Sequence, residues 1–131
     1  MIAPHPWEFL DHGQEIQLRL EIGDVSRTIH MSGTTDENPA ATPLGYSVGR
    51  WEGSSLVVET SAINWPYFDG SGTRQSEAVR ILERFTLSDD QLRLDYHQTI
   101  TDPTTFTEPA TYETWRLALG ETVEVYDCEA N

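Results

Sequence analysis

Alternation of apolar and polar residues runs through most of this chain, and no segment longer than about ten residues keeps a 3.6-residue apolar period. Ile16, Leu18, Leu20 and Ile22 alternate with Gln17, Arg19 and Glu21, which predicts a strand with one buried face. Gly23-Asp24 is the expected turn, and the return strand carries Val25, Arg27, Ile29 and Met31 on that same face. Pairing around the turn sets Arg27 across from Leu20 and sends Ser26, Thr28 and His30 the other way. A polar run, Ser32–Pro43, leads into a second hairpin, Gly45–Thr60, with Gly53-Ser54 as a two-residue loop. Its register places Trp51 opposite Leu56, Arg50 opposite Val57 and Val48 opposite Glu59. Arg50 and Glu59 then share a face with Tyr46, Val48 and Val57, a mixture unusual for a plain solvent side.

A second long loop, Asn64–Ser76, groups Trp65, Tyr67 and Phe68. Loops rarely carry such rings without packing them, so a lid, a plug for the barrel end or a subunit contact is expected. Ala78–Leu87 and Gln91–Thr101 form a third hairpin around Ser88-Asp89-Asp90. Setting Leu87 opposite Leu92 pairs Phe85 with Leu94 and Val79 with Ile100 on one face, and Arg84 with Asp95 on the other. Glu83 then lies on the apolar face, between Ile81 and Phe85 and opposite Tyr96. Asp102-Pro103-Thr104-Thr105 fits a type I turn, Phe106–Leu119 returns, and Glu121–Tyr126 is a closing strand.

The pattern predicts a single all-β domain over residues 1–131: an antiparallel up-and-down meander of eight or nine strands. Such a sheet closes into a lipocalin-like barrel, or remains a curved half-barrel covered by a second subunit. Because the Gly45–Thr60 hairpin is partly apolar on both faces, a homo-oligomer is expected.

Composition narrows the function. The formal charge is −14, and every basic residue is arginine. Such a surface repels phosphate backbones and anionic lipid, so no nucleic acid and no membrane partner is expected. The acidity reads first as solubility or the genomic habit of the host, second as adaptation to high salt, and third as steering of a cationic ligand. Cys128 stands alone and forms no internal disulfide. The opening MIAPHPWEFLDHG has no basic region followed by an apolar run, which gives a cytoplasmic expectation. His5, His12, His30 and His97 lack the spacing of a metal motif, so neither metal nor other cofactor is expected. Ser47 sits in a G-x-S-x-G string, but inside a strand rather than a strand-to-helix elbow. Gly45 and Gly49 instead suit sheet curvature or close packing against an aromatic ring.

Arg27, Arg50, Glu59 and Glu83 each fall on a face that is otherwise apolar or mixed. A lone buried ion is costly, so these four are expected to meet one another, or a ligand, in the interior. Three readings stay open: a structural ion-pair network, the polar floor of a ligand cavity, or proton transfer by Glu83 or Glu59 as general base. The ligand-binding set is Arg27, Arg50, Glu59, Glu83, Tyr46, Tyr96 and Trp65. The leading function is a binding module for a small, partly apolar or amphipathic molecule held in a barrel cavity. The alternatives are a structural or interaction protein and a cofactor-free isomerase, cyclase or hydratase.

The hairpin GYSVGRWEGSSLVVET resembles the G-x-S-x-G-R-W-E-G-x-x-L-V-V-x-T signature of an uncharacterised bacterial all-β family. Ser76-Glu77, Glu83-Arg84-Phe85, Asp102-Pro103 and Phe106-Thr107-Glu108-Pro109 match that family in order. Tyr126-Asp127-Cys128-Glu129 is similar to its closing Tyr-x-Cys-His-Glu, without the histidine. The resemblance lends weight to Arg50, Trp51, Glu59, Glu83 and Asp102 and carries no reaction. Its members are often longer and exported. This short, acidic form is similar in style to products of mobile gene cassettes.

Overall fold

In the computed structural model, residues 7–20, 25–31, 38–67 and 71–117 are described. They contain eight strands in one sheet: β1 (Trp7–Asp11), β2 (Glu15–Leu20), β3 (Val25–His30), β4 (Tyr46–Glu52), β5 (Ser55–Ser61), β6 (Arg80–Leu87), β7 (Arg93–Thr101) and β8 (Ala110–Leu117). Spatial order follows chain order, and every pair is antiparallel except β3 with β4. That parallel junction is short, pairing Ile29 with Ser47 and His30 with Val48. It departs from a pure meander because the run between His30 and Tyr46 is long enough to cross back over the sheet, as parallel neighbours require. No helix among the described residues is long and apolar enough to cross a membrane, which leaves crossing by strands unaddressed.

The sheet curls into a half-barrel. β1 and β7 are six strand spacings apart along the sheet, each about 4.8 Å. Yet the Trp7 and Tyr96 ring centres are 5.3 Å apart, edge to face. Phe85 of β6 joins them, 6.1 Å from Trp7 and 5.2 Å from Phe9. Ring pairs of this geometry add about 0.5–1.5 kcal/mol each beyond their buried area. Around them Ile16, Leu18, Leu20, Ile29, Leu56 and Val58 complete the main core. At the opposite end Ile63, Val79 and Ile100 form a smaller one. The two outermost strands face each other where the Arg116 guanidinium lies 4.0 Å from the centre of the Trp7 ring.

Turn chemistry sets the registers. Gly53 adopts φ +60° and Ser54 does not, the φ pattern of a type II′ turn. The expected pairs Trp51–Leu56, Arg50–Val57 and Val48–Glu59 all form. At the β6–β7 hairpin the loop is longer than Ser88-Asp89-Asp90. Ser88 N–H donates to the Arg93 carbonyl at 2.8 Å, Asp90 Oδ1 accepts from the Leu92 N–H at 3.0 Å, and Gln91 takes φ +61°. Leu92 therefore belongs to the loop, and the pairing moves by two: Leu87 meets Leu94, Phe85 meets Tyr96, Glu83 meets Gln98 and Arg84 meets His97. The same shift occurs at β2–β3, where Arg27 faces Leu18 and Leu20 faces Val25. A shift of two keeps every side chain on its expected face. The Gly23-Asp24 turn, the Glu121–Tyr126 strand and Cys128 lie outside the described residues.

β1 is an element that the alternation did not predict. Its signal is Trp7 and Phe9 alternating with Glu8, closed by a tight turn in which Gly13 (φ +85°) donates its N–H to Asp11 at 2.8 Å. Asp102-Pro103-Thr104-Thr105 is a turn as expected, with the Thr105 N–H donating to the Asp102 carbonyl at 3.1 Å. Gly49 packs against aliphatic neighbours rather than an aromatic ring. A Cβ there would stand 2.6 Å from Met31 Sδ and 2.7 Å from Ile29 Cγ2.

Candidate functional site

Arg27 and Glu83 meet in the interior, as the alternation requires, and are 5% and 2% exposed. They come from β3 and β6, so the contact spans the concavity rather than adjacent strands. The pairing is two-pronged: Arg27 Nη1 donates to Glu83 Oε2 at 3.1 Å and Nη2 to Oε1 at 2.5 Å. Planar guanidinium geometry matches a carboxylate in this way. Tyr96 of β7 donates its hydroxyl to Glu83 Oε2 at 2.8 Å. Two further arginine donors go to β4 and β5: Nε to Ser47 Oγ at 3.0 Å and Nη2 to Thr60 Oγ1 at 2.7 Å. Ser47 and Thr60 hydrogen-bond each other at 2.8 Å. Five strands are thereby tied through one cluster.

Burial would raise the Glu83 carboxyl above its ordinary value, but the charge and hydrogen bonds of Arg27, with the Tyr96 hydroxyl, hold it below 4.5. Tyr96 moves upward, first through burial and then through the negative charge and hydrogen bond of Glu83. Phenol donor and carboxylate acceptor therefore have fixed roles. Both carboxylate oxygens are engaged, an arrangement suited to holding strands together.

Ser47 and Thr60 were missed by the sequence reading. The alternation predicts Arg50, Glu59, Tyr46, Val48 and Val57 on the inner side of the β4–β5 hairpin. The inner face is the other one, with Ser47, Gly49, Leu56, Val58 and Thr60. Small Ser47 and Gly49 across from Thr60 and Val58, with Leu56 on the same face, were the available signal. Val57 obscured it, being 1% exposed although it lies on the outer face. Its register partners on either side are Arg50 and Arg84, whose stems flank it there.

Arg50 and Glu59 consequently do not join Arg27 and Glu83. Their side chains are 51% and 66% exposed and stand 3.6 Å apart on the outer face. Glu52 links Arg50, at 3.3 Å, to Arg84, at 2.6 Å. The Arg84 hydrogen bond is the main reason that the Glu52 carboxyl lies below its ordinary value. Tyr46 also lies outside, stacked on His30 with ring centres 4.6 Å apart. Trp65 and Tyr67 pack edge to face on each other at 6.3 Å, both substantially exposed, so neither plugs the interior. Phe68 is outside the described residues.

Asp102 is a second buried carboxylate, 1% exposed. Its oxygens accept from the Ser76 N–H and Ser76 Oγ, each at 2.6 Å, and from the Thr104 N–H at 3.2 Å. Burial opposes ionisation, and these donors outweigh it, holding the carboxyl below 3.8. The long loop before β6 is thereby fastened to the β7–β8 turn.

An open groove lies elsewhere among the described residues. A groove of about 480 Å³ crosses the outer face of β6, β7 and β8, lined by Arg84, Arg93, Asp95, His97, Glu113 and Trp115 among others. His97 Nε2 is 3.2 Å from Glu113 Oε1, and Arg93 Nε is 2.6 Å from Asp95 Oδ1. Trp115 is 57% exposed. Among the described residues no three His, Cys, Asp or Glu side chains gather in a metal-holding group. Comparison with known protein families, curated proteins and solved structures finds no match.

Proposed function

We propose that this protein is a non-catalytic binding module whose ligand, a small amphipathic molecule, occupies the outer groove of β6–β8 rather than the interior. The observation that carries this reading is the groove itself. Its volume of about 480 Å³ lies within the range of roughly 300–1,000 Å³ usual for small-molecule sites. An exposed indole and several directional polar groups stand side by side in it. The interior offers less: Arg27 and Tyr96 engage both oxygens of Glu83. A general base also needs a free oxygen within reach of a substrate proton.

A thermal-shift screen of small amphipathic compounds tests the proposal, with Trp115→Leu as control. Compounds that raise the melting temperature of the native chain and not of the variant support it. A screen without such compounds favours the structural reading of the Arg27–Glu83 cluster.

Self-association is a second reading, supported by Trp51, Leu87 and Leu92. All three are exposed at the end of the sheet that carries the β4–β5 and β6–β7 hairpins. Sedimentation of the native chain against Trp51→Ser decides it: a dimer lost in the variant supports it, and a native monomer removes it.

A further inference from the structure

Two cross-strand rows line the groove. Arg84, His97 and Glu113 are successive register partners, and Thr86, Asp95 and Trp115 form the next row. Beyond them Arg93 lays its guanidinium 5.5 Å from the centre of the Trp115 ring, while its Nε donates to Asp95 at 2.6 Å. A cation over an indole with a carboxylate beside it is therefore already present. The hold is loose. Attraction of this kind extends to about 6 Å from the ring centre, and the Arg93 side chain is 54% exposed.

The surroundings favour positive charge. The chain carries −14, and a field of that sign concentrates cations and repels anions. The groove arginines already have carboxylate partners, Arg84 in Glu52 and Arg93 in Asp95. An anion would have to displace a carboxylate as well as enter against the field. A cation displaces Arg93 from both Trp115 and Asp95, but it enters with the field, and Arg93 then swings into water.

Building on the reading of this groove as the binding site, we infer that its ligand class is a small organic cation with a flat or apolar body. An aryl or alkyl ammonium replaces Arg93 over the Trp115 ring and takes Asp95 as counter-ion. Binding is non-covalent.

The test follows the Trp115 indole N–H by ¹⁵N–¹H spectroscopy in the full chain, its resonance assigned by loss in Trp115→Leu. Phenyltrimethylammonium, benzyl alcohol and benzoate serve as cationic, neutral and anionic probes. Phenyltrimethylammonium is expected to bind about tenfold more tightly than either of the others, and Trp115→Leu, read from the Asp95 and Thr114 backbone amides in the same spectra, to abolish that preference. The exposure of Trp115 lets the variant fold. A cation that binds at Trp115 no more tightly than benzyl alcohol or benzoate overturns the inference and leaves the groove as a binding site. Absence of a Trp115-dependent response to every probe overturns both.

Discussion

Glu83 and Arg84 are adjacent in the chain, yet they belong to opposite electrostatic worlds. Glu83 points inward to Arg27, with both partners almost sealed from water. Arg84 points outward to Glu52, beside Arg50 and Glu59, with water on every side chain. The two networks use the same arginine–carboxylate chemistry on either face of one sheet. Burial separates them: the inner ions have given up their hydration and depend on their partners, whereas the outer ones are solvated whether or not they pair.

The largest expected effect comes from orphaning one inner charge. Glu83→Gln leaves the Arg27 guanidinium buried without its counter-ion and should cost about 3–5 kcal/mol in urea unfolding. A value near zero would mean that the inner pair behaves like the outer one.

Acid sharpens the same contrast. The Glu83 carboxyl lies below its ordinary value when folded. Its contribution is therefore complete above the unfolded value of about 4.5 and is lost as pH falls through the lower folded value. The stability gap between the native protein and Glu83→Gln should be constant near neutrality and narrow below about pH 4.5. A gap that widens with acid would reverse the assignment.

Close packing behind the cluster gives the next effect. Gly49→Ala forces a methyl group against Met31 and Ile29, for which overpacking costs about 1–3 kcal/mol, read as a lowered urea midpoint. On the outer face, Glu59→Gln removes an exposed partner of Arg50. It should change stability by less than about 1 kcal/mol, and raised salt should reduce the difference further.

The same contrast explains what the sequence disclosed. Arg27 and Glu83 were legible because each interrupts a clean alternation, Val25-Arg27-Ile29 and Ile81-Glu83-Phe85. The two-residue register shifts at both hairpins left that parity untouched. Arg50 and Glu59 were misplaced because the β4–β5 hairpin is apolar on both faces, and arginine stems can cover a valine from outside as fully as a core can. Ser47 and Thr60 gave little signal, since a hydroxyl in a strand reads equally well as solvent-facing. The parallel β3–β4 junction was hidden because its long loop has no pattern of its own. The outer groove depends on which rows of three strands come into line, a property of register that the two-residue shift changed.

A double-mutant cycle across the buried pair is the most direct test, comparing the native chain with Arg27→Met, Glu83→Met and the variant carrying both. The account predicts two strongly destabilised single variants and a double variant far closer to the native chain, with a coupling energy of about 2–3 kcal/mol. Additive losses, with coupling below about 0.5 kcal/mol, would contradict it.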